Sequence, residues 1–389
     1  MYTKRMIIIC CICFICLNGY SQGSANAAAA DVRSLQLYNE GKWKELLLFG
    51  KSEIASGDDF PLLRMRTGYA AFILRNYSES LKHYANVYDK DPSNATALYY
   101  VYLDNIYLDN VTASRYYASK MPGETRASLK IDKSKLSALG LEYSYKVPDI
   151  AERGNAQYGR VGLNFQLGYK LELQQSVSFY NQLISEQKLT AVTNNRNINI
   201  AQREYYGKVV YALGGNTALL GGFHYLYIPF NNYIYNNVVG FAGIKYSTPY
   251  VALQAQANIS RIRDTSYNQV DGVVTIHPTG NTGLYSISKV SFGKELTFIQ
   301  VLGFKIVKNT WIEGNITVGE YKVLMDHDAL YVFDDIDTKK FKAGGSLYLL
   351  LAKKVLFSLN YTFEKKQRYG TTNIYFHQQS TTGGLQWNF

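Results

Sequence analysis

Cysteine is confined to one short stretch: Cys10, Cys11, Cys13 and Cys16 are the only four in 389 residues. Past residue 16 the sequence has no thiol, so that part can hold neither a disulfide nor a thiolate metal site. Long apolar runs are equally scarce. Residues 6–17, MIIICCICFICL, form the only one, and the mean hydropathy of −0.18 excludes a bundle of membrane helices. Histidine is sparse, with five in the chain: His83, His224, His277, His327 and His377. His83 and His277 have no spaced partner. No Gly-x-Ser-x-Gly, His-Glu-x-x-His or phosphate-binding glycine loop occurs, so the common hydrolase, metalloprotease and nucleotide-binding signatures are missing. The residues give no catalytic, cofactor or metal site.

What is present begins with Lys4 and Arg5 before that apolar run, followed by the small, polar NGYSQGSANAAAA. A positive start, a short apolar core and a small-residue exit describe a secretory leader over residues 1–22, cleaved between Gly19 and Ala30. Twelve apolar residues fall short of the roughly 20 a membrane-spanning helix needs. Lipid attachment at Cys16 is disfavoured because bulky Ile15 stands where a small residue is wanted. Net charge is +11, or +9 without Lys4 and Arg5. For an exported chain that balance points to lipopolysaccharide, acidic glycans or an anion-attracting pore rather than to nucleic acid.

Residues 31–125 have helical periodicity. GKWKELLLFG (41–50) and RNYSESLKHY (75–84) superpose with a 34-residue offset that matches Trp43 with Tyr77, Glu45 with Glu79 and Leu47 with Leu81. This period, with Gly68, Tyr77, Ser80, Tyr84 and Pro92 at consensus positions, resembles the tetratricopeptide repeat. The resemblance implies stacked helix pairs in which Trp43, Tyr77 and Tyr84 pack between helices. It also implies a concave face for a periplasmic protein partner. A third unit, 95–121, keeps the helical pattern without the signature. Residues 126–137 read as a charged linker.

From Ala138 to Phe389 the period changes to two. VLFSLNYTF (355–363) sets Val355, Phe357, Leu359, Tyr361 and Phe363 against Leu356, Ser358, Asn360 and Thr362, and VALQAQANIS (251–260) and RVGLNFQLGY (160–169) alternate likewise. Alternation cancels in mean hydropathy, so strands can cross a membrane without a long apolar run. The 35 tyrosines suit interfacial girdles. Short polar links (213–216, 247–249, 278–281, 308–309, 353–354) alternate with longer segments (147–156, 185–197, 229–237, 324–340, 364–373). That is the pattern of periplasmic turns and extracellular loops. The expected fold is therefore a helical repeat array followed by an antiparallel transmembrane barrel of about 14 strands, within 12–16. Its setting would be a bacterial outer membrane with the helices in the periplasm. The alternating ending on Leu385, Trp387 and Phe389 resembles the terminal strand that barrel-insertion machinery reads.

Arg160, Lys208, Arg261 and Arg263 fall at polar or strand-end positions, and basic residues outnumber acidic ones across the barrel, which predicts a basic lumen. Tyr180 and Tyr206, on polar phases, would stack against sugar rings or simply fill the barrel, and His224 would face the lumen or a girdle. The acidic DHDALYVFDDID, with Asp326, Asp328, Asp334, Asp335 and Asp337, lacks calcium-loop spacing and is expected to be a solvated extracellular loop. The order of parts resembles YaiO-type barrel proteins and the export porins for cellulose and poly-N-acetylglucosamine, though the helical array is much shorter than in those exporters. The resemblance implies an outer-membrane channel or export porin with a periplasmic docking segment. Two alternatives are a barrel that merely anchors the repeats and a lipid hydrolase using His377 and Ser380.

Overall fold

The structure, a computed structural model, describes residues 26–131, 133–186, 196–230, 233–352 and 354–389. The expected leader lies outside the described residues. Two compact units divide between Asn110 and Val111.

The first unit is built of helices: α1 (26–39), α2 (Trp43–Ser56), α3 (Pro61–Ile73), α4 (Tyr77–Lys90) and α5 (Ala95–Tyr107). Their limits follow local chemistry. Pro61 opens α3, Gly57 ends α2 in the left-handed region at φ 111°, and the Asn76 and Asn94 side chains accept the backbone N–H groups of Glu79 and Ala97. The helices meet across small residues. A Cβ on Gly50 would come within 1.9 Å of Thr67 Oγ1, and one on Gly68 within 3.0 Å of the Tyr84 ring. Tyr84 is buried and stacks on Tyr100 at 4.4 Å, while Trp43 packs edge-on against Tyr38 and Tyr69. Tyr77 stacks on Tyr107 at 4.5 Å, Ser80 is fully buried, and Pro92 lies in the exposed turn before α5.

The second unit opens with α6 (Val111–Ala118) and α7 (Gly123–Ser128). Helices α2, α4 and α6 start at Trp43, Tyr77 and Val111, so the 34-residue spacing of the sequence is carried by the helix starts. Tyr117 of α6 sits against Gly215, where a Cβ would clash with its hydroxyl at 2.1 Å, and Arg126 stands 5.1 Å over the Tyr169 ring.

The remainder is a closed barrel of 14 antiparallel strands, from β1 (Lys135–Pro148) to β14 (Tyr375–Asn388). Each strand pairs with its sequence neighbours, and β1 closes the ring on β14, with Leu141 opposite Leu385. Closure leaves no free edge. Side chains alternate as the sequence predicts. On β1, Leu141, Tyr143, Tyr145 and Val147 are exposed outward, while Ser144 is buried inside; on β13 (Val355–Gln367), Leu359 and Tyr361 point out, while Thr362, Glu364 and Lys366 are buried. Such an outer face would cost roughly 25 cal/mol for every Å² of apolar surface left in water. No described helix is long and apolar enough to cross a membrane.

Of the segments expected as long loops, 147–156, 229–237 and 324–340 are mostly strand among the described residues, 364–373 leaves the sheet over 368–373 as expected, and 187–195 lies outside the described residues. Tyr233 already begins β6, and only residues 149–152 separate β1 from β2 (Arg153–Leu167). The strands continue past the apolar belt because backbone pairing satisfies their N–H and C=O groups whether or not the side chains alternate.

Candidate functional site

The largest departure from expectation is residues 324–340, which form a hairpin folded into the barrel rather than a solvated loop. Strand β11 (Thr310–Asp326) pairs with β10 (Leu296–Val307) only as far as Val318, and β12 (Tyr331–Leu351) meets β13 only from Thr338 onward. Between those points the hairpin pairs with itself alone, Leu324 opposite Phe333 and Asp326 opposite Tyr331. Gly319 makes the departure possible. Its φ is +121°, and a Cβ there would meet the Leu296 carbonyl oxygen at 2.4 Å, so only glycine fits. At the tip, His327, Asp328 and Ala329 all take positive φ.

Inside, the hairpin is seated by apolar packing and by charge. Met325 and Ala329 are buried in a cluster with Tyr206, Leu220, Val239, Phe241 and Ile262 of the wall. Asp328 receives hydrogen bonds from Lys208 Nζ of β4 (Arg196–Ala212) at 2.6 Å and from Gln254 Nε2 of β7 (Val251–Ile262) at 2.7 Å. The Tyr206 hydroxyl donates to its backbone carbonyl at 3.1 Å, and His224 Nδ1 of β5 (Thr217–Phe230) to that of Ala329 at 2.7 Å. Gln269 of β8 (Thr265–Ile276) both accepts from the backbone N–H of Met325 and donates to its carbonyl, at 3.0 and 2.7 Å. Lys289 of β9 (Leu284–Phe292) reaches the Met325 carbonyl and Asp326. On the opposite wall, the Tyr331 hydroxyl donates to Glu142 of β1 at 2.8 Å, and Arg153 of β2 grips Asp337 through two bonds of 2.7 Å. The hairpin therefore crosses the lumen from wall to wall.

Each of the five hairpin carboxylates has a cation: Asp326 with Lys289, Asp328 with Lys208, Asp334 with Arg263, Asp335 with Lys339, and Asp337 with Arg153. Carboxylates so neutralised can be buried, whereas unpaired ones would be prohibitively costly away from water. The sequence reading missed this because charge on a polar segment usually marks solvent exposure, and the wall cations that answer it lie far away along the chain.

Among the residues singled out from the sequence, Arg160 faces the lumen, bonded to Glu142 at 2.7 Å and stacked toward Tyr331. Lys208 and Arg263 both hold the hairpin. Arg261 stands on the outward phase of β7, exposed, paired with Asp264 at 3.0 Å. Tyr206 stacks on Phe241, Tyr180 shares the inner phase of β3 (Leu171–Glu186), and His224 is buried beneath the tip. His377 and Ser380 are three residues apart on β14 and so lie on opposite faces, His377 paired with Asp149 outside. Leu385, Trp387 and Phe389 point outward and are exposed. Arg153, Gln254, Gln269 and Lys289 were not singled out in the sequence. Their only signal there was a polar residue on the inner phase of a strand.

No family model matches this chain, and no curated protein does. Among solved structures, a bacterial polysaccharide outer membrane secretin aligns at TM-score 0.39 and 8% identity, covering 65% of this chain and 98% of the other. The CymD monoaromatic hydrocarbon channel aligns at TM-score 0.39 and 9% identity, covering 73% and 94%. The KdgM porin gives TM-score 0.34 and 10% identity over 64% and 99%.

Proposed function

We propose that this protein is an outer-membrane channel shut by its own β11–β12 hairpin, with the helical segment serving as a periplasmic docking array. The observation that carries the reading is the combination of an apolar outer face, a polar inner face and a hairpin held across the lumen by side chains rather than by continuous sheet pairing. A strand pair joined to both neighbours could not move, but one released from β10 and β13 can leave the lumen without opening the barrel wall. The 34-residue spacing of helix starts supports tetratricopeptide-like stacking. Export of an envelope polymer, guided or regulated through that array, is the finer form of the proposal and rests on the order of parts.

The test is planar-bilayer recording of the purified chain beside a variant lacking residues 327–330. Discrete conductance steps, rare in the intact protein and frequent in the variant, support a gated channel. An electrically silent variant that is still folded, as read by heat-modifiable gel migration, refutes it. The density of polar contacts between hairpin and wall favours one second reading, a permanently filled barrel that only anchors the helices. That reading requires the silent result.

A further inference from the structure

Removing the hairpin changes what the wall offers. Lys208, Lys289, Arg263 and Arg153 come from β4, β9, the β7–β8 turn and β2, and a hairpin carboxylate occupies each. Lys366 of β13 likewise spends part of its charge on Asp335. Withdrawal would take five carboxylates out of the lumen at once and leave these cations facing water. Fewer acids stay behind on the wall near them: Asp271 beside Lys289, Glu364 beside Lys366, Glu142 beside Arg160, and Glu204 beside His224. Lys146 adds a cation on the inner phase of β1, 5.5 Å over the Tyr180 ring, with Glu364 within electrostatic reach. The donors are also arranged for carboxylates. Arg153 presents a two-pronged contact, and Lys208 with Gln254 grips both oxygens of one group.

We propose that the hairpin is an internal stand-in for the cargo, and that the open channel takes a solute bearing several carboxylates along a chain, which competes with Asp326, Asp328, Asp334 and Asp337 for the same wall cations. The proposal rests on the channel reading and adds a substrate class and an opening mechanism to it. Binding and opening are then linked, because a ligand favours the state in which its sites are free. A neutral oligosaccharide or a polycation gains nothing from the exposed wall.

Hexaglutamate is the probe, with hexalysine and maltohexaose as controls. Isothermal titration should show hexaglutamate binding the 327–330 deletion at least about tenfold more tightly than the intact chain, roughly the worth of one freed charge-assisted hydrogen bond. In bilayers, micromolar hexaglutamate should raise the open probability of the intact protein while the controls leave it unchanged. The open state in a KCl gradient should reverse toward the chloride potential. Asp328→Asn should open more often and keep its anion preference; Lys208→Gln combined with Lys289→Gln should also open more often but lose that preference and the hexaglutamate response. Conductance that is cation-preferring, or insensitive to hexaglutamate in every variant, overturns the inference and leaves the channel standing. Silence in every folded variant overturns both.

Discussion

Asp104 is the most exposing test of the helical unit. It lies on α5 with no accessible surface, among Tyr77, Tyr84 and Tyr100, and no donor stands in hydrogen-bonding geometry to either carboxylate oxygen. Burial pushes its carboxyl well above the usual carboxylate range, and the Ser80 hydroxyl nearby offsets only part of that. The folded state therefore holds a proton that the unfolded chain releases near pH 4. Its favourable effect on stability is complete below that pH and is lost as pH rises through the folded-state value. Asp104→Asn keeps the shape without the titration. At pH 4 the variant and the native protein should melt at similar temperatures; by pH 8 the variant should be the more stable, by about 1.4 kcal/mol for each pH unit over which the folded carboxyl keeps a proton that the unfolded one has lost. For a unit of this size each such step corresponds to about 8 °C in Tm. Circular dichroism at 222 nm on the full chain in detergent reads the helices against a strand background. A gap that does not widen with pH, or a variant less stable at pH 8, refutes the assignment of Asp104 as a buried, unpaired acid.

Other expectations follow from single contacts. Gly50→Val should destabilise the same helical melt by about 2 kcal/mol or more, because α2 and α3 touch at Thr67 with no space for a side chain. Gly319→Ala should hinder the hairpin's turn into the lumen, raising protease cleavage near residues 327–330 and channel open probability together; unchanged cleavage counts against it. Arg153→Ala leaves Asp337 buried without its cation, though still bonded by the Tyr369 backbone N–H, so the hairpin should loosen by about 3 kcal/mol, read as faster hydrogen exchange across residues 331–338. Trp387→Lys puts a charge on the outward face of the last strand and should reduce the folded, heat-modifiable fraction severalfold in lipid.

The helical array and the barrel were legible because each has a period that the sequence repeats. Val355, Phe357 and Leu359 point outward for the same reason that they alternate in the sequence. The lumen was legible only in part. Arg160 and Lys208 could be placed by phase, since a strand has only two faces. The lumen expectation fails for Arg261, which shares the outward phase of Leu253 and Ile259 and is exposed on the outer face, so its strand-end position misled where phase would have placed it. The hairpin was illegible for a different reason. Its inward course depends on Gly319 and on ion pairs such as Arg153 with Asp337, whose partners are far apart in sequence and carry no periodic signal. A run of aspartates reads alike whether water or arginine neutralises it.

The seam between β1 and β14 has its own kinetic meaning. Thirteen of the ring's ladders join strands that follow one another along the chain and can zip as soon as each hairpin emerges. The remaining one, from Ala138 against Asn388 to Pro148 against Gln378, must bring together the two ends of the β-sheet sequence and bears the largest loop-closure entropy of the fourteen. Until it forms, β1 and β14 are raw edges beside a greasy surface. The protein is therefore most vulnerable to aggregation in the moment before its last ladder locks, and a chaperone that shields either edge would govern the yield of finished barrels.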